Sequence, residues 1–132
     1  DENDPIAVNI SGNHYIDGDI HKITYVEEAQ GFDEIILNTI IVNKNRVEII
    51  KEGVVNSKMV FANNSRYKTI YDTPFGRLNM ETETKLLLID MNKDEINIYI
   101  EYILYIEGDR ASNSKMRIHI VEAVDRVDNK GG

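Results

Sequence analysis

Two carboxylates, Glu81 and Glu83, stand two residues apart in a stretch of alternating polarity. On a strand that spacing puts both on one face about 7 Å apart. Such a pair can serve as the acid and base of a hydrolase acting on glycosides. The same pair lies near Arg66 and Lys68, so an exposed ion-pair ladder is the expected arrangement. His14, Asp17, Asp19 and His21 fall within eight residues and carry nitrogen and oxygen donors. That set matches no ligand-spacing template well, and Asp17-Gly18 reads as an ordinary hairpin turn, so no metal and no cofactor is expected. His119 alternates out of phase with Met116 and Ile118 and reads as a surface residue. The chain has no cysteine, which removes thiolate metal sites, disulfides and cysteine nucleophiles. No glycine-rich phosphate loop, nucleophile elbow or HExxH motif is present either.

These residues sit on a framework of period two. Ile96, Ile98, Ile100, Tyr102, Leu104 and Ile106 share one face, while Glu95, Asn97, Tyr99, Glu101 and Glu107 take most of the other. A strand of that length needs a bend or bulge. Met116, Ile118 and Ile120 alternate in the same way, as do Ile6, Val8 and Ile10. Further strands are expected at 20–27, 34–42, 46–51, 58–61, 66–73 and 77–90, separated by short turns rich in Gly, Asn, Asp and Pro. Short turns leave no room for crossover helices, so neighbours should pair antiparallel. Val121, Val124 and Val127 could form one weak helical turn, and the ordered core should run over about 6–123, with a flexible acidic start and a flexible 128–132 tail. A meander of eight to ten strands invites closure, because a barrel has no unpaired edges. The expected fold is therefore a single all-β domain, a closed antiparallel meander barrel, with a two-sheet sandwich as the alternative.

Charge adds exclusions. Residues 1–40 hold nine acidic side chains and one basic one, Lys22, and the formal net charge of the chain is -8. Such a field repels nucleic acid and favours cations. No apolar run approaches the roughly 18 residues of a membrane-spanning helix, and no leader pattern opens the chain. A cytoplasmic protein with no nucleic-acid or membrane partner is the expectation; the oligomeric state stays open.

The most distinctive stretch is Arg66-Tyr67-Lys68-Thr69-Ile70-Tyr71-Asp72-Thr73-Pro74-Phe75-Gly76. With the strand pattern around it, roughly from Ile6 to Val121, the chain resembles the YwiB-like family, a domain of unknown function with a lipocalin-like (calycin) β-barrel. The resemblance implies a closed barrel and supplies no activity or site residues. Physically the motif is a hairpin turning at Pro74. A two-residue loop pairs Tyr67 with Thr82, Thr69 with Met80 and Tyr71 with Leu78, and sets Lys68 opposite Glu81 and Arg66 opposite Glu83. A three-residue loop with a bulge at Gly76 shifts every partner by one. The charge pairs select the shorter loop. That register turns Tyr67, Thr69, Tyr71, Thr73, Thr82 and Thr84 inward beside Leu78, Met80, Leu86 and Leu88. A hydroxyl-lined interior suits a small, partly apolar ligand. The expected function is thus a non-enzymatic binding module. A structural or protein-interaction domain with a filled barrel is the alternative, and a carboxylate-dependent hydrolase the lesser one.

Overall fold

The computed structural model describes residues 8–29, 31 and 33–123. Its regular elements among these residues are all strands: β1 (Asn13–Asp17), β2 (Ile20–Glu28), β3 (Ile35–Asn43), β4 (Arg46–Gly53), β5 (Ser57–Phe61), β6 (Arg66–Thr73), β7 (Gly76–Met91), β8 (Glu95–Ile106) and β9 (Asp109–Val121). Every hydrogen-bonded neighbour is the next strand in sequence, and every pairing is antiparallel. The ladders form a five-stranded sheet, β1 to β5, and a four-stranded sheet, β6 to β9. The two are stitched by one bridge, in which Asn56 and Asp72 exchange backbone bonds of 2.8 Å each way. No ladder joins β1 to β9 among the described residues.

Turn chemistry accounts for the meander. Four hairpins close with two intervening residues: Gly18-Asp19, Lys44-Asn45, Pro74-Phe75 and Glu107-Gly108. Glu107 and Gly108 both have positive φ (50° and 85°), the mirror-image turn whose twist matches the flanking strands. At the fifth tight connection Asn92 Oδ1 accepts from the backbone N–H of both Asp94 and Glu95 at 3.0 Å, an Asx turn.

The sheets pack face to face. Ile23, Ile40, Val42, Val47 and Phe61 of the first meet Leu87, Ile96, Ile98 and Ile100 of the second in one buried cluster. Phe61 stacks edge-on against Tyr102 at 4.9 Å between centroids. The long β7–β8–β9 ribbon bends as its length requires, with bulges between Thr84 and Leu86 and between Leu104 and Tyr105. The β7 bulge is held from outside β6. Thr84 N–H donates to Ser65 O at 2.9 Å, and the Asn63 side chain donates to and accepts from the Leu87 backbone at 3.1 and 2.8 Å. The loop after β5 thus takes the place of a neighbouring strand on either side of Lys85.

Three expectations are corrected. The extra residue, Lys85, reverses the phase of β7, so Leu87 is buried while Leu88, expected inside, is 54% exposed and Leu86 only half-buried. The first strand is Asn13–Asp17 and not the Ile6–Ser11 alternation. Residues 8–12 have no regular structure, and Val8 and Ile10 are exposed, because the turn at Gly18-Asp19 gives β2 a different partner. The last strand begins at Asp109, well before Lys115, because pairing with β8 carries the polar segment 109–114 into the ladder. Ile6, Val124 and Val127, the acidic start and the 128–132 tail lie outside the described residues.

Candidate functional site

The hairpin register comes first, because it decides which side chains face the core. Tyr67 pairs with Thr82, Thr69 with Met80, Tyr71 with Leu78, Lys68 with Glu81 and Arg66 with Glu83: the shorter loop, as the charge pairs required. Thr73 Oγ1 donates to Gly76 O at 2.8 Å and accepts from Phe75 N–H at 3.1 Å, so its hydroxyl serves the turn. Thr82 and Thr84 are 1% and 2% exposed, Thr69, Tyr71 and Thr73 are half-buried, and Tyr67 stands at the rim, 37% exposed. There Arg46 Nη1 donates to the Tyr67 hydroxyl at 3.1 Å, with the guanidinium 5.1 Å from the ring centre.

On the inner face of the second sheet Thr82 Oγ1 donates to Val60 O at 3.1 Å. Thr84, paired across the ladder with Tyr102, is different. Among the described residues its Oγ1 is the buried side-chain polar atom with no hydrogen-bond partner. Tyr102 and Ser114 lie beside it in the ladder, and Ser112 and Ser114 hydroxyls are 2.8 Å apart. Burial pushes the Tyr102 phenol above its ordinary pKa, against a smaller opposing pull from its hydrogen bond with Ser114. The arrangement is an apolar wall of Met80, Leu87, Ile98 and Ile100 interrupted by neutral hydroxyls.

The first sheet carries a second polar group that sequence reasoning missed. Asn38 is fully buried; its Nδ2 donates to Glu27 Oε1 at 2.9 Å, and its Oδ1 accepts from Lys51 Nζ at 2.8 Å. Lys51 also reaches Glu27 Oε1 at 2.5 Å, closing a triangle. The hydrogen bonds from Lys51 and then Asn38 hold the Glu27 carboxyl below its ordinary pKa. Tyr25, the cross-strand partner of Asn38, is pushed up by burial. The available signal was phase: Asn38 shares the face of Ile36, Ile40 and Val42.

The carboxylate pair sits in a ladder. Arg66 Nε donates to Glu81 at 2.7 Å, Tyr105 Oη to Glu83 at 2.9 Å, and Lys85 to Glu83 at 3.3 Å. The hydrogen bond from Tyr105, then that from Lys85, lowers the Glu83 pKa, the wrong direction for a carboxyl that must donate a proton at neutral pH. A hollow of about 500 Å³ on the outer face of β7–β9 is lined by Leu88, Asp90, Asn97, Tyr99, Arg117 and His119 among others, and three of its polar side chains are engaged with neighbours. Tyr99 Oη donates to Glu101, Arg117 lies 4.6 Å from the Tyr99 ring centre, and His119 contacts Glu95 at 2.7 Å. Of the four potential ligands in the first hairpin, His14 and His21 come together and Asp17 and Asp19 do not join them. No group of three or more His, Asp or Glu side chains able to hold a metal forms among the described residues. Nor is any helix among them long and apolar enough to cross a membrane.

A family model described as "Domain of unknown function (DUF1934)" matches residues 1–118. Among solved structures, the chain is similar to the ywiB protein from Bacillus subtilis, with 20% identity and a TM-score of 0.69 over 85% of this chain and 75% of that one. No curated protein matches. The chain belongs to the DUF1934 family, and the likeness to ywiB shows a shared all-β fold.

Proposed function

We propose that this DUF1934 chain is a non-enzymatic binding module. In this reading its meander curls toward a calycin-like barrel and takes a small, partly apolar ligand against the inner face of β6, β7 and β8. The observation that carries it is Thr84 Oγ1, 2% exposed as a residue and without a partner. A buried hydroxyl left unpaired costs on the order of 1–3 kcal/mol. A ligand that presents one hydrogen-bonding group at Thr84, flanked by Tyr102 and Ser114, and apolar bulk toward Met80 and Leu87, relieves that cost. Thr69, Tyr71 and Thr82 extend the same face, Tyr67 with Arg46 forms its rim, and Thr73 borders it at the turn.

The competing reading is a filled interior that serves structure or protein contact, favoured by the single apolar cluster that spans both sheets. Native mass spectrometry separates the two. The binding module retains a small-molecule adduct that is lost on denaturation, and Thr84→Val, which keeps the shape but removes the hydroxyl, releases it. An adduct-free protein from several growth conditions, with Thr84→Val unchanged in every small-molecule screen, supports the filled interior instead.

A further inference from the structure

The β1–β2 hairpin supplies a site that the binding reading does not use. The Gly18-Asp19 turn fixes the register in which His14 faces Ile23 and Ile16 faces His21. His14 and His21 are therefore diagonal neighbours on one face of the hairpin. Asp17, odd-numbered on the same strand as His14, points to the other face, as does Lys22 on β2. The two rings lie 5.1 Å apart at 34°, and His14 Nε2 is 2.9 Å from His21 Nδ1. At that distance the nitrogens share one proton, one ring donating and the other accepting.

We propose that His14 and His21 form a two-imidazole chelate for a divalent transition-metal ion, with copper(II) preferred over nickel(II) and zinc. The facing nitrogens are 2.9 Å apart along a shared hydrogen bond, so both rings must turn toward a common vertex when an ion enters, which two solvent-accessible side chains on one hairpin face allow. Among divalent first-row ions a nitrogen site binds copper(II) most tightly, so copper leads nickel and zinc. Binding replaces the shared proton. The donating ring shifts its hydrogen to its other nitrogen, so each facing nitrogen has a lone pair to offer the metal and no net proton is released from the neutral pair. Among the described residues no carboxylate joins the pair, so water would fill the remaining positions. The local field assists: between residues 8 and 40 the acids Asp17, Asp19, Glu27, Glu28, Asp33 and Glu34 face a single base, Lys22. The metal would clasp strand β1 to β2.

Tag-free protein is titrated by calorimetry with copper(II), nickel(II) and zinc chloride in a non-chelating buffer. The chelate predicts one ion per chain and an affinity highest for copper. His14→Ala and His21→Ala each weaken copper binding by about tenfold or more, a loss of 1.4 kcal/mol or more, whereas His119→Ala leaves it unchanged. Proton NMR of the unmodified chain with zinc gives a check that requires no variant: the ring resonances of His14 and His21 move and those of His119 do not. Equal binding by all three variants, a shift confined to His119, or one ion per two chains overturns the assignment.

Discussion

The two inner faces of the molecule treat buried polarity in opposite ways. On the first sheet Glu27, Asn38 and Lys51 form a closed triangle around one carboxylate oxygen, in which Asn38 Oδ1 and Nδ2 are both engaged. On the second sheet the polar groups are neutral hydroxyls spread along β7, β8 and β9, and one of them, Thr84 Oγ1, is unpaired. A saturated network specifies a structure, because removing one member leaves the groups it bonded without partners. An unsaturated hydroxyl in an apolar wall costs stability as it stands, which marks Thr84 as the position to test for a role outside the fold. The contrast separates scaffold from candidate site without reference to cavity size.

Substitutions sharpen the contrast. Asn38→Ala should have the largest effect, about 2–4 kcal/mol, since it opens a cavity at a fully buried position and removes two hydrogen bonds to charged groups. Urea unfolding measures it. A cost below about 1 kcal/mol would mean that the triangle is ornamental and that both faces are alike. Thr82→Val comes next, at about 1 kcal/mol, because Val60 O loses the donor that now sits 3.1 Å away. Thr82 therefore behaves as scaffold although it lies beside the candidate site.

Which parts were legible in the sequence follows from how each is encoded. The 66–84 hairpin was readable in register because Arg66 and Lys68 face Glu83 and Glu81 across it, and charge pairs mark register directly. The β7 bulge was not, since Lys85 precedes the run Leu86-Leu87-Leu88-Ile89, in which four successive apolar residues erase the phase that would show the reversal. Strand β1 went unread because Asn-His-Tyr-Ile-Asp carries no apolar alternation, and only its turn reveals it. The Glu27–Asn38–Lys51 triangle draws on three strands. Its members are 11 and 13 residues apart, so it becomes visible only when two registers are known at once. Asn38 alone, polar in phase with Ile36, Ile40 and Val42, was the trace left in one strand.

Acid distinguishes the faces as well. Hydrogen bonds from Lys51 and Asn38 lower the Glu27 pKa below its value in the unfolded chain, so the ionised carboxylate stabilises the fold at neutral pH. That contribution is present above the unfolded value and is lost as pH falls through the lower, folded one. Glu27→Gln should flatten the decline of stability on the acid side of pH 4.5, the ordinary value for this group. The effect is modest, because the Lys51 and Glu27 side chains are 34% and 41% exposed and water screens the pair. The hydroxyl face has no carboxylate in its network, so Thr84→Val should leave the acid limb of the curve unchanged. Unfolding midpoints collected from pH 3 to 7 test both statements, and an equal slope in wild type and Glu27→Gln would remove the first.

The smallest expected change in stability is the one that says most about the site. Thr84→Val exchanges a hydroxyl for a methyl of nearly the same size at a position 2% exposed. Ordinarily such a change loses a hydrogen bond and costs about 1 kcal/mol. Here no bond exists to lose, and the wall around it is apolar, so the apo protein should be unchanged or more stable by less than about 1 kcal/mol. Thr82→Val, two residues away on the same face and equally buried, is the internal control with the opposite sign. If Thr84→Val instead destabilises the ligand-free chain as much as Thr82→Val does, Thr84 Oγ1 already has a partner in solution, such as an ordered water, and the two inner faces are both scaffold. If the signs differ and the variant also fails to retain an adduct, the hydroxyl acts on a bound molecule and on nothing within the fold.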